Sequence, residues 1–166
     1  TTSHTSTKVV KSGLVCFVLS SPTLSISPVT KYLRQHPPGV VDIALEVENL
    51  STIIAAAERL GTKVIQPTVE YQEDKNYIKQ AKVVAWGGLT HTLLEKQLTR
   101  NAAQNFSSTS IQGIDHIVLN VPVGDLKAAV AWYQNILGFR EQQKFNIQTE
   151  YSALHSQVMV SHDGSV

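Results

Sequence analysis

"HIVLNVPVGDLKAAVAWYQNILG", His116 to Gly138, can be laid over "DIALEVENLSTIIAAAERLG", Asp42 to Gly61. Each copy opens with Ile-x-Leu-x-Val, whose alternation of side chains is that of a strand. A turn and a helical stretch follow, and a glycine stands where a helix end turns left-handed. Further strand-like stretches come after both copies, so the chain reads as a βα unit plus strands, used twice. Any two βα units resemble one another generically, and the repeat by itself predicts fold rather than function. One difference stands out: Asp42 falls where His116 stands. Ile114, His116, Val118 and Asn120 would share one face of the second strand. An imidazole there is a hydrogen-bonded structural residue, an exposed edge residue, or a metal ligand or catalytic group.

Outward from the repeat, "SPVTKYLRQHPPG" predicts a helix. Ser27 is a good N-cap, Pro28 suits the first helical position, and Pro37-Pro38-Gly39 end it. Before it lie a strand over Leu14–Leu19 and a threonine-rich candidate strand over Ser6–Val10, with "KSG" as the turn. After Gly61, strands are predicted around Lys63–Ile65, Thr68–Gln72, Ile78–Trp86 and Thr90–Glu95, with Gly87-Gly88 as a hairpin turn. Residues 97–112 are polar and aperiodic and read as a linker. Beyond it come the strand Ile114–Val121 and a helix over Gly124–Leu137, whose Leu126, Val130, Tyr133 and Leu137 form an apolar stripe. Strands over Phe139–Phe145, Thr149–Leu154 and Ser156–Val160 follow.

With 166 residues, 42% of them apolar, the chain can build one domain or two small ones. Only 16% of residues are charged and the net charge is +1, which gives no reason to expect nucleic acid or an anionic membrane as partner. The single cysteine, Cys16, lies in the apolar run "GLVCFVL" and is read as a buried, inert thiol. One cysteine excludes an intrachain disulfide framework and fits a reducing, cytoplasmic setting. No apolar stretch reaches the roughly 18 residues of a membrane helix. The start, "TTSHTSTKVVKSG", lacks the order of a signal peptide and has no initiator Met.

The six histidines include no compact His-x-His or His-x-x-x-His spacing. His36 ends a helix, where a cation is favourable. His91 lies in a half-polar strand and is read as structural, His155 as exposed, and His4 and His162 are near the termini. That leaves His116 as the candidate ligand. P-loop, GxGxxG, GxSxG, HExxH and CxxC signatures are missing.

"HPPGVVDIALEVENL" (His36–Leu50), "THTLLEK" (Thr90–Lys96) and "IDHIVLNVPVGDLKAAVAWYQNILGFRE…TEYSALHSQVM" (Ile114–Met159) resemble the 4-hydroxyphenylpyruvate dioxygenases, and "FVLSSP" (Phe17–Pro22) agrees. The resemblance extends over nearly the whole chain. It implies an α+β fold of βαβββ modules of the vicinal-oxygen-chelate type. By that likeness residues 1–96 would be an N-terminal domain without a metal site, its first strand and helix preceding Thr1. Residues 97–112 would be the linker, and 113–166 the first module of a C-terminal catalytic domain. The family binds Fe(II) through two His and one Glu and converts the α-keto acid 4-hydroxyphenylpyruvate and O2 to homogentisate and CO2. Carried over, His116 matches the first ligand, Val118 a pocket-lining residue and Ser156 a polar residue of the substrate pocket. Ser156 could equally be a serine hydrogen-bonded within a sheet. The second His and the Glu are expected beyond residue 166, so this chain alone is expected to be inactive.

A homo-oligomer, dimer or tetramer, would follow from the same likeness. Hydroxymandelate synthase, which shares the fold, iron and substrate, is the nearest alternative. From a different class, the chain could be a non-catalytic binding or oligomerisation module, as Asp42 in the first copy would allow. An extradiol dioxygenase has little support in these residues.

Overall fold

The computed structural model describes residues 3–73, 76–97, 111 and 113–164. Of the linker expected over 97–112, only Gln97 and Ile111 lie within them. The chain divides into two compact units, Thr1–Val40 with Asn101–Ile117, and Val41–Arg100 with Val118–Val166.

In the first unit, β1 (Thr5–Ser12) and β2 (Val15–Pro22) form an antiparallel hairpin, Ser12 opposite Val15. The two-residue connection needs a positive φ, which Gly13 supplies. The helix α1 (Pro28–Leu33) starts where the sequence places it: Ser27 accepts a hydrogen bond from the Val29 N–H, and Pro28 occupies the first turn. Ser27 is buried, and its hydroxyl also meets Thr5 Oγ1 at 2.8 Å, tying α1 to β1. Within the hairpin strands only Val15 is buried. Cys16, expected to be buried, is exposed and pairs in register with Lys11. Phe17 and Leu19, which share Val15's face, are exposed as well, so what packs on the hairpin, not the apolar character of the run, sets burial here.

The second unit holds a four-stranded sheet in the order β3-β6-β5-β4, made of β3 (Asp42–Glu46), β4 (Val64–Glu73), β5 (Asn76–Val84) and β6 (Thr90–Gln97). β3 runs parallel to β6 and the other pairs are antiparallel. The two short strands expected around residues 63–72 are one strand, β4, with register irregularities between Val64 and Val69. Pro67 falls inside this interval, and proline cannot donate to a ladder. α2 (Leu50–Arg59) is the crossover from β3. Asn49 caps it by accepting from the Thr52 N–H, and Gly61 leaves it at φ +73°. β3, α2, β4, β5 and β6 thus complete one βαβββ module.

In the second copy, α3 (Leu126–Leu137) ends on Gly138 in the left-handed conformation and is followed by the antiparallel pair β7 (Arg140–Gln148) and β8 (Ala153–Val160). The stretch expected as the strand Ile114–Val121 has extended sequence character but carries no strand pairing. A strand needs a neighbouring backbone for its N–H and C=O groups, and none of the described residues supplies one. The principal core is shared between the copies. Leu50 and Ala57 of α2, Ala81 and Val83 of β5, Leu93 of β6 and Ile136 of α3 are buried together, with Trp132 and Leu137 packed at the margin. α3 therefore completes the hydrophobic core of the first module.

Candidate functional site

The repeat directs attention to two positions, Asp42 and His116. Asp42 opens β3 opposite Thr90 of the parallel partner β6. Side chains two apart on a strand share a face, and Thr90 and Thr92 both turn hydroxyls to the Asp42 carboxylate. Thr90 Oγ1 donates to Oδ1 at 2.5 Å and Thr92 Oγ1 to Oδ2 at 2.7 Å. Lys82 of β5 adds its ammonium at 3.5 Å from Oδ1. Both oxygens of Asp42 are thus engaged within the sheet. The Thr-x-Thr alternation of "THT" was the legible signal for this network, although sequence reasoning assigned it no role.

His91, between those threonines, points the other way and is buried. Its Nδ1 lies 3.2 Å from the Ile43 carbonyl and its Nε2 3.1 Å from the Tyr133 hydroxyl on α3. A carbonyl only accepts, so Nδ1 carries the proton; Nε2 then accepts from Tyr133. Burial pushes the His91 imidazole below its usual pKa, against smaller opposing effects of the Ile43 hydrogen bond and the Asp42 charge. Burial also pushes Tyr133 up to about 12. Next to this pair Trp132 donates its indole N–H to Thr62 Oγ1 at 3.1 Å. His91 is structural in this setting, as its strand context predicts.

On the same strand Glu95 accepts from the Leu50 N–H at the start of α2, at 2.8 Å, and from Lys79 at 3.0 Å. A carboxylate there satisfies a helix N–H and complements the positive helix end. The Leu50 hydrogen bond, followed by the one from Lys79, holds the Glu95 carboxyl below its usual pKa.

The second position has different surroundings. His116 belongs to the first unit, where its side chain is 73% exposed and its Nδ1 lies 2.7 Å from Asp115 Oδ2. Adjacent residues of a regular strand point to opposite faces, so this contact depends on the unpaired backbone there. Val118 and Ser156 belong to the second unit. Val118 is exposed, and Ser156 is half-buried on β8 opposite Phe145. Among the described residues no three His, Cys, Asp or Glu side chains converge as a metal ion would require. The donor set therefore does not fit a complete iron(II) site: a single imidazole is one ligand where such sites take two His and a carboxylate.

These elements define the class of fold: α+β, with one complete βαβββ module of the vicinal-oxygen-chelate type. Residues 113–166 match the family described as Glyoxalase/Bleomycin resistance protein/Dioxygenase superfamily. Over 98% of the chain the fold superposes, at a TM-score of 0.79 and 18% identity, on 49% of a mutant 4-hydroxymandelate synthase from Streptomyces coelicolor. Among curated sequences, the chain is 30% identical to a 4-hydroxyphenylpyruvate dioxygenase from Coccidioides posadasii, over 92% of this chain and 46% of the relative. It is 28% identical to the enzyme of that name from Caenorhabditis elegans, over 98% of this chain and 46% of the relative. An uncharacterized protein from Synechocystis is 28% identical over 96% of this chain. The chain spans about half the length of the curated relatives it matches.

Proposed function

We propose that the whole protein carrying this sequence is an iron(II)-dependent dioxygenase that converts 4-hydroxyphenylpyruvate and O2 to homogentisate and CO2. The observation carrying this reading is that relatives named 4-hydroxyphenylpyruvate dioxygenase align along 92–98% of this chain, through both copies of the repeat. In this reading residues 1–96 form a domain without metal, 97–112 link it to the catalytic domain, and 113–166 open that domain. The engagement of Asp42 by Thr90, Thr92 and Lys82 supports a non-catalytic first module.

His116 supplies one ligand, with the second His and the Glu coming from other parts of the whole protein. Were iron held by one ring nitrogen of His116, the other could donate to an acceptor that orients the ring. Val118 supplies apolar lining beside the aromatic substrate, and the Ser156 hydroxyl hydrogen-bonds its polar end. The 166-residue chain alone is inactive, since metal affinity arises from ligands that fold together. A cytoplasmic homo-oligomer without nucleic-acid or membrane partners completes the reading.

The second reading, favoured by the structural likeness to 4-hydroxymandelate synthase, is benzylic hydroxylation of the same substrate. Incubating the whole protein with 4-hydroxyphenylpyruvate, iron(II) and O2 separates the two. Homogentisate is expected, 4-hydroxymandelate as main product would establish the alternative, and turnover of neither would reject both. Replacing His116 by Ala is expected to lower activity and bound iron by more than the roughly 10–100-fold typical of a lost outer-shell partner.

A further inference from the structure

The attachment of α3 to the first module raises a question that the proposed chemistry does not use. Most of that contact is apolar, through Ile136, Leu137 and Trp132. At its centre, however, stands a buried titratable ring whose two nitrogens bridge separate elements. His91 Nδ1 holds β3 through the Ile43 carbonyl, and Nε2 holds α3 through Tyr133 Oη. The three aromatic rings pack as a cluster: His91 is 5.7 Å from Tyr133 and 5.9 Å from Trp132, and Trp132 meets Tyr133 edge-on at 4.9 Å.

We propose that His91 and Tyr133 form an acid-sensitive latch, which holds α3 on the first module at neutral pH and loosens it when His91 takes up a proton. The hydrogen-bond directions make the pair responsive. Neutral His91 offers Nε2 as acceptor to the Tyr133 hydroxyl. A proton on Nε2 turns it into a donor, so Tyr133 has to reverse and accept, and its own hydrogen loses that partner. The added charge also lies in a buried site, where an incompletely paired cation is costly.

The groups facing His91 do little to offset this. Asp42 of β3 acts from the other face of the sheet, where Thr90, Thr92 and Lys82 already hold its carboxylate. From β5 the residue in register is the buried, apolar Val83. From α3 come only Tyr133 and Trp132, and Trp132 already donates to Thr62. Burial outweighs Asp42 in setting the imidazole's affinity for protons.

Trp132 reports directly on the latch, because its indole sits against both rings. In the full chain with Trp86→Phe, Trp132 is the single tryptophan. Lowering the pH from about 7.5 to about 4, through and below the ordinary imidazole value, is expected to quench and red-shift its emission reversibly while far-UV circular dichroism stays constant. His91→Gln should abolish this pH dependence. Tyr133→Phe, which weakens docking, should move the midpoint upward. Should Trp86→Phe not fold, imidazole C–H NMR of the unaltered chain is the second measurement, with His91→Gln assigning the signal. His91 should then titrate below the ordinary imidazole value and together with shifts of α3 amides. The latch is refuted if emission changes only as helical and sheet signal is lost, if His91→Gln keeps the transition, or if Tyr133→Phe leaves the midpoint in place.

Discussion

Asp42 and His116 occupy equivalent places in the two copies of the repeat, yet their surroundings are opposite. Asp42 starts a strand paired in parallel with β6, and two hydroxyls and an ammonium engage its carboxylate. His116 stands on backbone without strand pairing, largely exposed, with the neighbouring Asp115 as its contact. The first copy has turned the position into a structural polar network. The second places there an exposed imidazole whose hydrogen-bond contact is its chain neighbour Asp115. The difference teaches that the same place in the repeated sequence is built into the sheet in the first copy and stands outside any sheet in the second.

The largest effect expected from this comparison comes from Ile136→Ala. If the second copy's helix completes the first copy's core, this change should cost about 2–5 kcal/mol, as buried large-to-small substitutions do. Urea unfolding measures it, and a cost below about 1 kcal/mol would mean the cores are independent. Next comes Asp42→Ala, which removes the acceptor of the buried Thr92 hydroxyl while Thr90 keeps the Val41 carbonyl, and is expected to cost about 1–3 kcal/mol. A thermal midpoint indistinguishable from that of the parent would erase the contrast between the copies.

Glu95→Gln probes the same module more gently, by about 0.5–1 kcal/mol at neutral pH, the scale of a charge at a helix N-terminus. Because folding depresses the Glu95 pKa, the native state binds its proton less readily than the unfolded chain. Its contribution is complete above the ordinary value of 4.5 and fades as pH falls through the lower native value. Parent and variant stabilities should therefore converge in acid, and a gap that persists there would contradict this assignment. The smallest effect belongs to His116→Ala in the 166-residue chain, expected within about 0.5 kcal/mol as for an exposed side chain. Destabilisation as large as that of Asp42→Ala would show that His116, too, is structural.

Local chemistry made much of this architecture legible in advance. Ser27-Pro28, Gly61 and Gly138 mark helix ends because capping depends on residues adjacent in sequence. The alternation in "DIALEV" and "THTLLEK" located β3 and β6 for a similar reason. Burial was harder to read. Cys16 sits in a run as apolar as a core strand, yet only Val15 beside it is covered, because burial depends on what packs against a face. "IDHIVLNVP" has the residues of a strand, but pairing requires a second backbone that its own side chains cannot specify. The network around Asp42 escaped notice because Thr90 and Thr92 are distant in sequence and become its neighbours only through the parallel pairing of β3 with β6.

By itself, then, the sequence determined the repeated residue pattern, the helix boundaries, the α+β class, and the substitution of histidine for aspartate between the copies. These follow from periodicity and capping, which act over a few residues. Only the tertiary structure decided that α3 shares the first module's core, that Asp42 is engaged on both oxygens, and that His91 bridges β3 to Tyr133. Each of those depends on side chains brought together by sheet order and helix packing, which set hydrogen-bond partners and burial across the chain.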